Sequence, residues 1–141
     1  MNITEKSLLH YDVKILLALL ESLKGSKKFF HFLMDNGYVE LAAWSNAVRG
    51  DVNALHWLFD NGYGNLGVLS NAIDGEKKAV MWTLNSKDEF MINFSAACRK
   101  DKDSIDWLRK NDLQIFILMV KEIQEILEVQ VKDQMFWYKW K

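Results

Sequence analysis

Proline is absent from the 141 residues, and cysteine occurs once, as Cys98. Without proline, no segment is stopped or kinked by a backbone that lacks an N–H and has a locked φ. That suits a wholly helical chain. A lone cysteine cannot close an internal disulfide, so the expected setting is a reducing one, the cytoplasm. Charge of one sign is missing too: 18 Lys and Arg stand against 19 Asp and Glu, a net charge of −1. Phosphate-backbone binders concentrate Lys and Arg on one face, and nucleic acid is therefore not an expected partner. The apolar run Ile15 to Leu20 falls far short of the roughly 20 residues of a spanning helix. It is preceded by Glu5 and Asp12 and followed by no small-residue cleavage site, so neither a secretion signal nor a membrane span is expected. Without secretion, the glycosylation patterns Asn2-Ile3-Thr4 and Asn93-Phe94-Ser95 carry no weight. No Pro-, Gly- or Ser-rich block could serve as a linker, and the chain reads as one domain over 1–141.

What is present is a period. Phe32, Trp57, Trp82 and Trp107 recur at a step of 25 residues, as do Asn36, Asn61 and (two steps on) Asn111. Gly25, Gly50 and Gly75, Ser45, Ser70 and Ser95, and Ala47, Ala72 and Ala97 keep the same step, and Gly37 and Gly62 share it. A fixed period in this range marks a repeat architecture whose units bury their apolar faces only by stacking. The frames run 2–26, 27–51, 52–76, 77–101 and 102–126, with 127–141 as a tail. The middle three match best; worn outer frames are expected where terminal repeats face water. Frame 52–76 carries Asp60, Asp74 and Glu76 with no Lys or Arg, whereas 77–101 carries Lys77, Lys78, Lys87, Arg99 and Lys100 against three acids.

Each frame reads as two short helices. In 52–61, Leu55, Trp57, Leu58 and Phe59 form an apolar set apart from Asn53, His56 and Asp60; Val80, Trp82 and Leu84, then Ile105, Trp107 and Leu108, follow it. On this reading the Trp series makes the repeat-to-repeat contact, with Trp82 in the core. Asn36-Gly37 and Asn61-Gly62 end the first helix, because glycine takes the left-handed conformation of a C-terminal cap. The second helix, about 65–73, places Leu66, Leu69, Ala72 and Ile73 at helical spacing and stops at Gly75. Asp51 and Glu76 sit where the next helix dipole favours an acid. In later frames Gly62 gives way to Lys87 and Asp112, and Gly75 to Lys100 and Glu125, so these frames abandon the glycine stop. From about Gln114 the pattern Phe116, Val120, Ile123 and Leu127 runs on as one long capping helix, with Lys121, Glu122, Glu125 and Glu128 on its wet side. The segment Met135 to Lys141 holds four aromatics and two lysines. It either folds back into the cap, docks on a partner or a second copy as a homodimer contact, or lies at a membrane interface.

The stretch Ala47-Val48-Arg49-Gly50-Asp51 through Leu55, Trp57, Leu58, Asn61, Gly62 and Tyr63, with Ala72-Ile73-Asp74-Gly75-Glu76, resembles the ankyrin pattern over about residues 20–113. The resemblance implies an all-α fold, an α-solenoid of stacked helix-turn-helix repeats with a C-terminal capping helix. The Thr-Pro-Leu-His signature is replaced by Leu41-Ala42-Ala43-Trp44, Leu66-Gly67-Val68-Leu69 and Met91-Ile92-Asn93-Phe94. The unit is also shorter than the usual length of about 33 residues, which leaves no chain for the projecting hairpin. Trimmed arrays of this kind resemble members of divergent multigene families, including those of large DNA viruses, and this implies a host-interaction role.

Catalytic chemistry is poorly represented, and no enzyme, cofactor or metal site is expected. His31 and His56 are one frame position and read as packing residues, and Cys98 takes the place of Val48 and Ile73 as a small core residue. No HExxH, CxxC, phosphate loop, Gly-x-Ser-x-Gly or dinucleotide fingerprint is present. The expected function is a non-catalytic protein-protein interaction module, an inhibitor, immunity or virus-host interaction protein that occupies its target; the alternative is a structural or membrane-peripheral component using the aromatic tail. Binding residues should vary from frame to frame while stacking residues repeat. That criterion selects Arg49, Asp74 and Arg99 at the end of the second helix, Glu40, Asn65 and Glu89 beside the inter-helix loop, and Tyr38 and Tyr63 just past it, all expected to be exposed.

Overall fold

A computed structural model describes the backbone of residues 7–140 and the side chains of residues 7–135. The described residues are all-α: a 3₁₀ turn at Leu8–His10 and nine helices, α1 Val13–Leu23, α2 Lys27–Asp35, α3 Val39–Val48, α4 Val52–Asp60, α5 Gly64–Ile73, α6 Lys77–Ser86, α7 Glu89–Cys98, α8 Lys102–Lys110 and α9 Gln114–Trp140. From residue 27 each 25-residue frame therefore opens with one helix and follows it with a second. The odd-numbered helices pack on one another (α1 on α3, α3 on α5, α5 on α7, α7 on α9), and each even-numbered helix lies outside its pair.

Local chemistry accounts for the frame. Ser26, Asp51, Glu76 and Asp101, one frame apart, each cap an outer helix by accepting from backbone N–H groups, Asp51 from Ala54 at 3.1 Å and Asp101 from Ser104 at 3.0 Å. Such caps satisfy donors that the first turn leaves orphaned. At the other end, Tyr38 N–H donates to Leu33 O at 2.9 Å, Tyr63 to Leu58 at 2.8 Å and Leu113 to Leu108 at 3.0 Å. These are the six-residue closures of a helix turned by one left-handed residue. The repeated asparagines serve the same ends: Asn36, Asn61 and Asn111 each donate through Nδ2 to the carbonyl of the aromatic residue four back, at 2.7–2.8 Å. Glycine supplies the left-handed residue at Gly37 and Gly62, with φ of 89° and 86°. The later frames lose the glycine but keep the geometry: Lys87, Lys100 and Asp112 sit at φ of 59°, 72° and 55°. Only at Glu125, inside α9, is the break gone.

The core belongs to the inner helices. Four of their positions are buried in all five: Leu16, Leu41, Leu66, Met91 and Phe116; Leu19, Trp44, Leu69, Phe94 and Met119; Leu20, Ser45, Ser70, Ser95 and Val120; Leu23, Val48, Ile73, Cys98 and Ile123. None of these is more than 6% exposed. Each outer helix adds one buried side chain at a shared position, Leu33, Leu58, Thr83 or Leu108. This corrects the expectation for the Trp series. The buried position lies one residue after it, leaving Phe32 41% and Trp82 44% exposed and Trp57 and Trp107 half-buried. Leu84 and Phe59 are exposed as well, and so are His31 and His56, which were expected to pack. On a ten-residue helix one step turns a side chain by about 100°, enough to move a residue from core to rim.

In an open stack the first and last inner helices stay apart, but here α1 packs against α9. The inner helices thus share one interior, across which Trp44 of α3 meets Phe94 of α7 with ring centroids 6.3 Å apart. Phe90, Phe94 and Phe116 continue this cluster. Leu8 and Tyr11 are buried at the end where the helices α3, α5 and α7 begin. At the opposite end α9 runs on alone: its 27 residues span about 40 Å at 1.5 Å per residue, against about 15 Å for a ten-residue inner helix. The segment expected to fold back as a cap instead continues α9 to Trp140; the side chains of 136–141 lie outside the described residues.

Candidate interaction surface

The helix direction sorts the eight residues singled out from the sequence into two groups. Tyr38, Glu40, Tyr63, Asn65 and Glu89 lie at the starts of α3, α5 and α7, whereas Arg49, Asp74 and Arg99 follow their ends. These groups are separated by a helix length, roughly 15 Å, so the structure does not bring all eight together.

At the first end, Glu40 is a correction. It is 9% exposed, and its Oε2 accepts a 2.6 Å hydrogen bond from the Tyr11 hydroxyl. Burial, reinforced by that bond to the carboxylate, pushes the Tyr11 phenol well above its usual range. Glu40 is an internal tie between the N-terminal segment and α3, and no contact surface. Tyr38 packs edge-on against Tyr11 at 6.1 Å, and Tyr63 stacks on Trp57 at 5.8 Å with rings 11° from parallel. Both tyrosines are half-buried at the start of an inner helix, where neither makes a side-chain cap bond. Asn65 is exposed at the rim of a small cleft that Ser7, Leu66 and Asp88 also line. Glu89 is exposed in the first turn of α7.

The second end has a more definite architecture. Arg49 Nη1 donates to Leu23 O of α1 at 2.6 Å, and Arg99 Nη1 donates to Ala72 O of α5 at 2.6 Å. From α9, Gln124 Nε2 donates to Ala97 O of α7 at 2.9 Å, and Gln130 Nε2 to Val48 O of α3 at 3.4 Å. Each of the four short inner helices thus has one carbonyl of its last turn accepting from a side chain elsewhere in the fold. At Ala72 and Ala97 the same oxygen also accepts the backbone N–H of Gly75 and Lys100, each at 2.9 Å. Arginine adds positive charge at the negative end of the helix dipole. The two arginines are exposed, as expected, but each guanidinium is tied to the end of the preceding helix of its pair. Lys100 and Glu128 join at 2.9 Å beside them, and this bond holds the Glu128 carboxyl below its usual range.

Between these ties, Arg49, Asp74 and Arg99 line one groove of about 740 Å³ with Gly50, Ile73 and the overhanging α9 residues Gln130 and Gln134. Asp74 is the residue of the three not spent on a helix end. It is exposed, as expected, yet the partial burial of its carboxyl in the groove raises it above the usual range, and it stands where the C-terminal dipole of α5 disfavours an acid. The groove is therefore a place where a charged side chain is held ready by its surroundings. Sequence reasoning missed Gln124 and Gln130, because their partners are 27 and 82 residues away, and Gln134 with them, because their helix lacks the frame that located the other residues. Cys98 is 1% exposed, and burial pushes its thiol well above the usual range, consistent with a packing residue. Among the described residues no three His, Cys, Asp or Glu gather as a metal site, and no helix is long and apolar enough to cross a membrane. No protein-family model, no curated protein and no solved structure matches the chain.

Proposed function

We propose that the protein is a non-catalytic, intracellular protein-binding module that acts by occupying its target, in the manner of an inhibitor, immunity or virus-host interaction protein. The observation that carries this reading is the groove at the second end, where Asp74 stands between two arginines fixed by helix carbonyls. A rigid rim with two uncommitted carboxylates, Asp74 and, from α9, Asp133, favours selectivity over raw affinity, since a mispaired charge is costly to a wrong partner. We read the repeat unit as a trimmed ankyrin-like helical pair, supported by the 25-residue recurrence of inner-helix core, acidic cap and left-handed stop. The contact of α1 with α9 departs from the open ankyrin stack and moves the candidate contact from a concave face to the helix ends.

A second reading, contact through the C-terminal end of α9 with a second copy, is favoured by Val129, Val131 and Met135, which are 56%, 54% and 67% exposed. One experiment separates the two. Protein captured from host lysate by the full chain, by Asp74→Lys and by a chain ended at Gln134 is quantified by mass spectrometry. The groove reading expects one saturable partner whose recovery falls at least tenfold with Asp74→Lys, at unchanged helical circular dichroism. Loss of the partner only on truncation moves its contact to the tail, a dimer mass in sedimentation equilibrium that the truncation abolishes supports the second copy, and no partner in any arm sinks the binding-module reading.

A further inference from the structure

The outer helices share a frame but differ in what they turn inward. At the position filled by the fully buried Leu33, Leu58 and Leu108, α6 carries Thr83, whose hydroxyl donates to Val80 O at 2.7 Å. Its other buried residue is Ala79. Two small side chains anchor α6, and three large apolar ones face out: Met81 56%, Leu84 50% and Trp82 44% exposed. Of the other outer helices α8 exposes no large apolar residue and α4 exposes Val52 and Phe59. Helix α2 exposes Phe32 and Met34 at 41% and 40%, with Lys27 and Lys28 at the frame positions of Lys77 and Lys78, but with the large Leu33 as its anchor. Among the outer helices α6 thus exposes the most apolar surface on the smallest anchors. Lys77 and Lys78 are also exposed, and residues three and four apart on a helix are neighbours, so both flank Met81. Lys87 follows at the helix end. Among the described residues the ion pairs are Lys24–Glu21, Lys100–Glu128 and Arg109–Asp106, and none uses these three lysines. The nearby Glu76 carboxylate is held on the backbone N–H groups of Lys78 and Ala79 at 3.0 and 2.9 Å.

We propose that the outward face of α6 docks an acidic amphipathic segment of a partner protein, whose apolar side chains cover Met81, Trp82 and Leu84 and whose carboxylates pair with Lys77 and Lys78. The apolar trio supplies the buried centre that interfaces require, and the lysines form a rim that selects sign. Recognition of this kind is the laying of an amphipathic helix along an apolar strip. The width of the strip decides between a peptide and an anionic membrane. Like α6, α4 packs on α5, and it is capped by Asp51 and ends at Asp60 with no Lys or Arg between. A broad anionic surface meets those carboxylates; a single segment along α6 meets the lysines alone. This surface is separate from the helix-end groove and does not depend on it.

The test is selection from a library of random peptides long enough for four helical turns, displayed against the full chain. The expected winners carry apolar residues three and four apart and at least two Asp or Glu. Their binding should fall at least tenfold with the double change Lys77→Glu and Lys78→Glu, and equally with Met81→Ser, while Asp74→Lys leaves it unchanged. All these positions are exposed, and circular dichroism checks that the variants fold. Basic or uncharged winners, no winners, or binding indifferent to the α6 changes would overturn the proposal. Winners lost only with Asp74→Lys would do the same while leaving the groove reading intact. Sedimentation with phosphatidylserine vesicles that the lysine changes abolish, without acidic-peptide binding, would replace the partner segment by a lipid surface.

Discussion

The inner and outer helices carry the same 25-residue step and use it oppositely. In the inner set four positions are buried in all five helices, among them the whole series Leu19, Trp44, Leu69, Phe94 and Met119. In the outer set one position is buried, and the most conspicuous repeated residues, Phe32 and Trp82, remain more than 40% exposed. Side-chain size is free to vary inside, from Leu to Trp at the apolar positions. One of the four takes Leu, Val or Ser, with the Ser45 hydroxyl 2.9 Å from that of Ser22 and the Ser95 hydroxyl donating to Met91 O at 2.8 Å. Outside, the hydrogen bond that recurs at this position is a backbone one: the carbonyl of Phe32, Trp57 and Trp107 receives the Asn side chain that ends the helix, an acceptor that any residue type there would supply. Recurrence therefore reports a shared local geometry, and burial has to be established separately.

Two tryptophans put the largest number on that difference. Trp44 is fully buried between α3 and α7, so Trp44→Ala should cost roughly 3–5 kcal/mol, the usual range for a large aromatic truncated in a core. Trp82→Ala should cost less than about 1 kcal/mol, because 44% of the residue is already in water. Urea titration of both variants measures the gap, and equal losses would break the distinction between inner and outer helices. Trp44→Phe sharpens it: the indole N–H has no hydrogen-bond partner, so the phenyl variant loses volume but no bond and should fall well short of the alanine cost.

Sequence alone reached the features written in local chemistry. The acids at Asp51 and Glu76, the stops at Gly37 and Gly62, the apolar set Leu66, Leu69, Ala72 and Ile73, and the long helix from Gln114 are each encoded within a few residues of where they act, and the structure has them. The Trp register was off by one position because a nine- or ten-residue helix with apolar residues on three sides has no single face that periodicity can select. Closure of α1 on α9 was out of reach, since it depends on small angular increments summed over the array. The candidate site was half legible for the same reason. Arg49, Asp74 and Arg99 were found by variation at one frame position and do share a groove. Glu40 was not separable from an exposed acid, because its partner Tyr11 lies 29 residues away.

A middle-sized effect compares the early and late frames. Loss of glycine at 87 suggested that the left-handed stop had been abandoned, yet Lys87 holds φ 59° beside 86° at Gly62. A non-glycine residue there costs roughly 1–2 kcal/mol, partly offset by the lower entropy of its unfolded chain. Lys87→Gly should therefore stabilise the protein by about 0.5–1 kcal/mol, read as an upward shift of the melting temperature. No gain would mean that the lysine side chain repays its own strain. For the same reason Gly62→Val and Lys87→Val both place a β-branched residue at positive φ, and the two frames are alike in what they demand of the backbone.

The smallest effect tests the groove against the rest of the surface. Burial raises the Asp74 carboxyl above the ordinary aspartate value of 3.8, so its ionised form is disfavoured more in the folded than in the unfolded chain. The folded state therefore binds the proton more readily, and the penalty is complete above the folded-state value and disappears below 3.8. Asp74→Asn removes it, and should raise stability at neutral pH by a few tenths of a kcal/mol at most, because the exposed part of the carboxylate is screened by solvent. Denaturant midpoints of the two proteins should differ at pH 7, approach each other on acidification, and coincide once Asp74 is protonated in both states. A difference of the opposite sign at pH 7, with the aspartate protein the more stable, would mean that Arg49 or Arg99 pairs with the carboxylate strongly enough to outweigh its burial. Asp74 would then be part of the same tie that holds the helix ends, and Asp133 of α9 would be the carboxylate of the groove left to meet a partner.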